Sequence, residues 1–282
     1  MDSPYKAQLT ARRLLLQNPY AHVEQLEELR VARLHENPYL YADQQFTDIE
    51  RQARSRNAHR VSAIEQAVTN LQREIWDRRV ELGLSTDARP VDVLETNYAA
   101  QVLGYAYSYR SSLGWITHGR DPIVVAGLID TARRIIEVAT DVEPRVARFT
   151  SAHEVGHAVL HPQLTGLHRD RPLTGPLEHR DRVEYEADKF AVFFLMPRKL
   201  VTEQFLLRFI AVFKLDEQTS YALLGKPSSA ARELLPTHRH ISRALASATH
   251  FNGRNFVSLA EYFGVSVETM AIRLEELKLI DA

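Results

Sequence analysis

From about Phe46 to Leu84 the chain runs without proline, and apolar residues recur at Val61, Ile64, Val68, Leu71, Ile75 and Leu82. The steps alternate between three and four residues, with Arg78 interrupting, which predicts a long helix carrying an a/d seam. Such a seam packs along its own neighbours or, alternatively, pairs residues 61–82 with a second copy in a homodimer. Ala7–Gln17 and Ala21–His35 also read as helices. Each is followed by Asn-Pro-Tyr, at 18–20 and 37–39, a helix-stop and turn signal. Residues 1–89 are thus expected to form a helical region that ends in a linker, Ser85–Val91, around Pro90.

After the linker the period changes. Val91–Leu103 predicts a helix closed by Gly104. Tyr105–Tyr109, Ile123–Val125 with Ala126, and Ile135–Thr140 predict strands, with Gly114 and Gly119 in hairpin turns. Two helices follow, around 150–160 and 183–195, separated by a polar loop at 165–182. Val183, Ala187, Phe190, Ala191, Phe194 and Leu195 keep the helical period, and Met196-Pro197 ends it. The fold class is therefore α+β and mostly helical, with a core at 90–215 and a helical C-terminal region at 216–282.

The first of those two helices carries the chemistry. It contains His153-Glu154-Val155-Gly156-His157. Residues four apart on a helix lie about 40° apart around its axis and roughly one turn along it, so both imidazoles can reach one zinc ion. Glu154, about 100° round from His153, falls beside the metal, where a carboxylate can take a proton from an attacking water. From Thr150 to Leu160 only Glu154 is charged, and Ala152, Val155, Gly156, Ala158, Val159 and Leu160 nearly encircle the helix. A buried carboxylate between two buried histidines is costly unless a cation compensates it.

Catalytic zinc usually takes three protein ligands and an open fourth position. The longer metzincin pattern needs Gly at 160 and His at 163, where the chain has Leu160 and Gln163. His161 lies on a similar face to His157, but the helix climbs about 12 Å from His153 to His161, too far for one ion. His161 is expected to support the site from outside it or to end the helix. The second helix offers Glu184 and Glu186, both partly inward, with Asp188 pointing away; periodicity does not choose between the glutamates.

The run from Arg148-Phe149-Thr150 through the HExxH pentad to His161, then Glu186-Ala187-x-x-Phe190-Ala191 and Leu195-Met196-Pro197, resembles the ImmA/IrrE family of metalloendopeptidases over roughly 71–282. The resemblance implies Glu186 as third metal ligand and a zincin-like core, a small twisted sheet beside the HExxH helix, whose edge strand could take an extended substrate. It also implies an intracellular endopeptidase that cleaves a helix-turn-helix repressor during stress or mobile-element induction. Zinc is the expected metal, with manganese able to substitute at an N/O site. His168 and His179 of the polar loop, and Tyr185, are candidate donors to the oxyanion formed at the scissile carbonyl.

A rival expectation comes from Ser258–Leu274, which reads as a helix-turn-helix with Gly264 in the turn and Ser266 capping the second helix. It would make the chain a metal-stabilised DNA-binding or docking regulator without proteolysis. Charge argues against DNA: Glu268, Glu275, Glu276 and Asp281 outnumber Arg273 and Lys278 from Val267 onward. The net charge of −1 over 282 residues points the same way, and the absence of cysteine excludes disulfides, thiolate metal sites and cysteine nucleophiles. The N-terminus lacks the apolar stretch of a signal peptide, and the longest apolar run, Phe190–Met196, is too short to span a bilayer. A cytoplasmic protein with no membrane partner is expected.

Overall fold

The computed structural model describes residues 48–118, 121–163, 167–170 and 182–281. The helices expected over 7–35 lie outside these residues. The chain divides between Leu94 and Glu95 into two compact units. In the first, α1 spans Asp48–Asp77, and Ile64, Val68, Leu71 and Ile75 of the seam are buried within the single chain. The helix ends before the seam does. Leu82 falls in the turn beyond it, where Gly83 takes a positive φ of 88° that other residues resist.

The helix expected over Val91–Leu103 is two elements. A 3-10 turn covers Pro90–Leu94, and α2 covers Thr96–Val102. Between them Glu95 is extended (φ −85°, ψ 127°) and does not cap α2 with its side chain, which pairs with Arg148 instead.

The second unit contains a four-stranded sheet in the order β1 (Ala106–Arg110), β5 (Ile135–Ala139), β4 (Gly127–Asp130), β6 (Leu167–Asp170). β1 and β5 are parallel, and the other two pairings are antiparallel. β2 (Trp115–His118) and β3 (Asp121–Val124) pair antiparallel as a separate two-stranded ribbon, and the strand expected over Ile123–Ala126 is shifted to Asp121–Val124; Gly119 lies outside the described residues. Three strands of this region, β2, β4 and β6, are additions to the sequence reading. β4 starts at a glycine and runs only four residues, and β6 is the polar Leu-His-Arg-Asp within the expected loop. Both are short segments whose pairing, not propensity, makes them strands.

Helix α3 (Pro144–Leu160) lies against β4 and β5. Glu143 caps it, accepting from the Arg145 and Val146 amides at 3.0 and 3.1 Å, and Pro144 suits the first turn. Pro162 prevents its continuation. Ser151 ties it to the sheet, with its hydroxyl 2.8 Å from Tyr107 Oη and 2.6 Å from Thr96 Oγ1. Helix α4 (Arg182–Leu195) packs on the other side of α3. Gly156 makes the approach close, since a Cβ there would lie 3.1 Å from Phe190 Cβ and 3.2 Å from Ala187 Cα.

Gly127 plays the same part between sheet and helix. A Cβ on it would sit 2.5 Å from Thr150 Cγ2 and 3.0 Å from Glu154 Oε1. Gly127→Ala is expected to destabilise the protein by about 1–3 kcal/mol through overpacking. The same methyl would push on the Glu154 side chain. Urea unfolding measures the first effect; an unchanged midpoint would mean the sheet can withdraw at no cost.

The remaining elements are α5 (Arg198–Phe209), β7 (Phe213–Lys214), α6 (Glu217–Leu224), α7 (Ser228–Leu234), α8 (His238–Ser247), the hairpin β8 (His250–Phe251) and β9 (Arg254–Asn255), α9 (Leu259–Tyr262), α10 (Val267–Glu276) and β10 (Ile280–Asp281), which pairs with β7. Ser266 caps α10 as expected, accepting from the Thr269 amide at 3.0 Å. That helix is largely covered. Its only arginine, Arg273, is 2% exposed, donates to the Met196 carbonyl at 3.1 Å and stacks 4.9 Å over the Phe193 ring. Lys189 of α4 meets Glu276 at 2.7 Å, and Glu268 and Glu275 pair with Arg239 of α8. The charges of α10 are committed within its own unit.

Candidate metal centre

The α3–α4 contact brings three donors together. His153 and His157 are 2% and 1% exposed, and their Nε2 atoms lie 2.9 Å apart. Glu184 of α4 reaches both, with Oε2 3.3 Å from His153 Nε2 and Oε1 3.6 Å from His157 Nε2. Among the described residues these three are the group of His and carboxylate side chains able to hold one ion. The donor set suits zinc. With bonds of about 2.0–2.1 Å in a tetrahedron, neighbouring donors stand about 3.3 Å apart, inside the observed spread.

At the third position the geometry and the resemblance part. The resemblance implies Glu186; among the described residues Glu184 is the carboxylate that stands with both imidazoles. Two residues along a helix are about 200° of rotation, so the two glutamates leave α4 on opposite sides. Glu186 Oε2 meets His161 Nε2 at 3.1 Å, and its Oε1 accepts from Arg182 Nε at 2.9 Å. Burial raises the Glu186 pKa, but the hydrogen bonds from Arg182 and His161 outweigh it and hold the carboxyl below its usual range. His161 is buried at the end of α3, with its Nδ1 3.3 Å from His157 Nδ1.

Asp188, expected to point away, does not. Its Oδ1 lies 3.0 Å from His153 Nδ1, so it holds the ring with Nε2 toward the other donors. The spacing Glu184-x-x-x-Asp188 was the available signal, because residues four apart share a helical face. An apolar stripe alone does not reveal it.

Glu154 is 0% exposed and lies beside Gly127 of β4, in the residue next to His153. Its side chain is buried in the α3–β4 contact. His168 sits in β6, in register with Ile129 of β4. His179 lies outside the described residues. Tyr185 is 46% exposed, with Lys189 Nζ 5.9 Å from its ring centroid.

Residues 111–217 match the family model described as Peptidase_M78, IrrE N-terminal-like domain. The chain carries a Peptidase_M78 domain. The match spans the β2–β3 ribbon, β4–β6, α3 and α4, and so includes every residue of the centre described above. No curated protein matches the chain. The match supports the ImmA/IrrE resemblance carried by the motifs, and a domain of this family implies a peptidase. No described helix is long and apolar enough to cross a membrane.

Proposed function

We propose that this chain is a zinc-dependent endopeptidase that cuts a specific intracellular protein, a helix-turn-helix transcriptional repressor, in stress response or mobile-element control. The observation that carries the catalytic part is the convergence of His153, His157 and Glu184 next to buried Glu154 inside a Peptidase_M78 domain. A zinc ion held by those three ligands would supply Lewis acidity toward the scissile carbonyl and the attacking water. The chain's own residues do the rest. Asp188 orients His153 through its Nδ1. Glu154 accepts the water's proton and returns it to the leaving amine. Manganese fits the same N/O donors.

The repressor substrate rests on the family resemblance. A restricted substrate also suits a protein expected in the cytoplasm, where a general protease would damage its host. The alternative of a DNA-binding regulator is disfavoured by α10, whose arginine is turned onto Met196. Incubating zinc-loaded protein with the product of each adjacent gene, followed by mass spectrometry of fragments, tests the proposal. Cleavage of one neighbour at one or few bonds, abolished by a chelator, is expected. If casein is degraded readily and no neighbour is cut, the repressor reading falls to that of a broad peptidase.

A further inference from the structure

His161 and Glu186 stand outside the three donors, yet both are sequestered beside them. His161 is 4% exposed and the Glu186 side chain 13%. Their atoms connect in series. His157 Nδ1 lies 3.3 Å from His161 Nδ1, His161 Nε2 lies 3.1 Å from Glu186 Oε2, and Arg182 Nε lies 2.9 Å from Glu186 Oε1.

The direction of each hydrogen bond follows once His157 Nε2 is given to a metal. Its Nδ1 then carries the ring proton and donates to His161 Nδ1. His161, accepting there, carries its own proton on Nε2 and donates to Glu186. A carboxylate only accepts, and a guanidinium only donates, so Arg182 closes the series with no donor facing a donor. One tautomer of each imidazole satisfies the whole chain.

We infer that His161 and Glu186 are positioning residues for His157, doing through two links what Asp188 does for His153 in one. The inference rests on His153, His157 and Glu184 being the zinc ligands. A metal-bound histidine is held in orientation by whatever accepts its second ring proton. For His157 that acceptor is an imidazole, which by itself has no fixed tautomer. Glu186 supplies the fixed end by demanding a proton on His161 Nε2. The glutamate that the sequence offers as a ligand thus keeps a metal-linked role from one step further out.

Zinc dissociation constants, measured by chelator competition on the full chain, test this. His161→Ala and Glu186→Ala should each still bind one zinc, about 10–100-fold more weakly than wild type. The double variant should be no weaker than the weaker single one, because both changes cut one chain. Cobalt-substituted spectra should shift alike in the two single variants. Glu186→Gln, which keeps the volume and loses the charge, should weaken zinc in the same direction and serves if an alanine variant fails to fold. Wild-type affinity in the single variants, losses that multiply in the double, or a loss matched by equal destabilisation of the zinc-free protein would each overturn the positioning role while leaving the ligand set intact. If Glu186→Ala abolishes stoichiometric zinc and Glu184→Ala retains it, the ligand set is wrong and this inference goes with it.

Discussion

Glu154→Gln is expected to fold, to hold one zinc per chain, and to lose peptide-bond hydrolysis by about 10²–10⁴-fold, the range for removing a general acid–base. Glutamine matches glutamate in volume, so the close contact with Gly127, where a Cβ would already lie 3.0 Å from Glu154 Oε1, is kept. The amide cannot take a proton from water at neutral pH, and nothing else changes. Neither His153 nor His157 is altered, and Asp188 still orients His153. Turnover of the cleaved protein, together with elemental analysis, reads both halves of the prediction. Retained hydrolysis would remove Glu154 from the reaction. Lost zinc would mean that its charge is part of the metal's own environment.

Glu184→Ala is expected to weaken zinc by more than about 100-fold, beyond what loss of an outer partner costs, and so to leave purified protein short of stoichiometric metal. Glu184 is the carboxylate within 3.3 Å of His153 Nε2 and 3.6 Å of His157 Nε2. Removing it leaves two neutral imidazoles and no protein charge among the three donors to offset a dication. Asp188→Asn should fall between this variant and wild type, since it spares the ligands and disturbs only the orientation of His153. On the family resemblance alone, Glu184 would be the harmless neighbour and Glu186 the essential residue. Metal content of the two alanine variants decides directly; a zinc-replete Glu184→Ala would restore the resemblance's assignment.

The parts legible in the sequence are those set by local spacing. His153, Glu154 and His157 could be read because four residues on a helix is a fixed geometry, and burial of Thr150–Ala158 followed from the lack of charge there. The Ser266 cap and the Gly264 turn were legible for the same reason. What was hidden depends on two helices meeting. The choice between Glu184 and Glu186 is set by the rotation of α4 against α3, which Gly156 permits by letting Ala187 come close. Short strands were hidden too. β6 is polar and β4 begins with glycine, and only their mutual register, Gly127 with Asp170 through Asp130 with Leu167, makes them a sheet. The extended backbone at Glu95, whose side chain pairs with Arg148 far along the chain, left no local signal either.

The grip of α10 on α4 has a practical consequence for dissecting the molecule. The family match stops at residue 217, which invites a minimal fragment ending there. Such a fragment would strip Arg273 from the Met196 carbonyl and bare the Phe193 ring it covers. Lys189, one residue past Asp188, would lose Glu276 at the same time. The helix that presents Glu184 would then have solvent along its outer side. Homology marks where the catalytic vocabulary ends, but the scaffolding that keeps it in register continues for another sixty residues or so, to about Glu276.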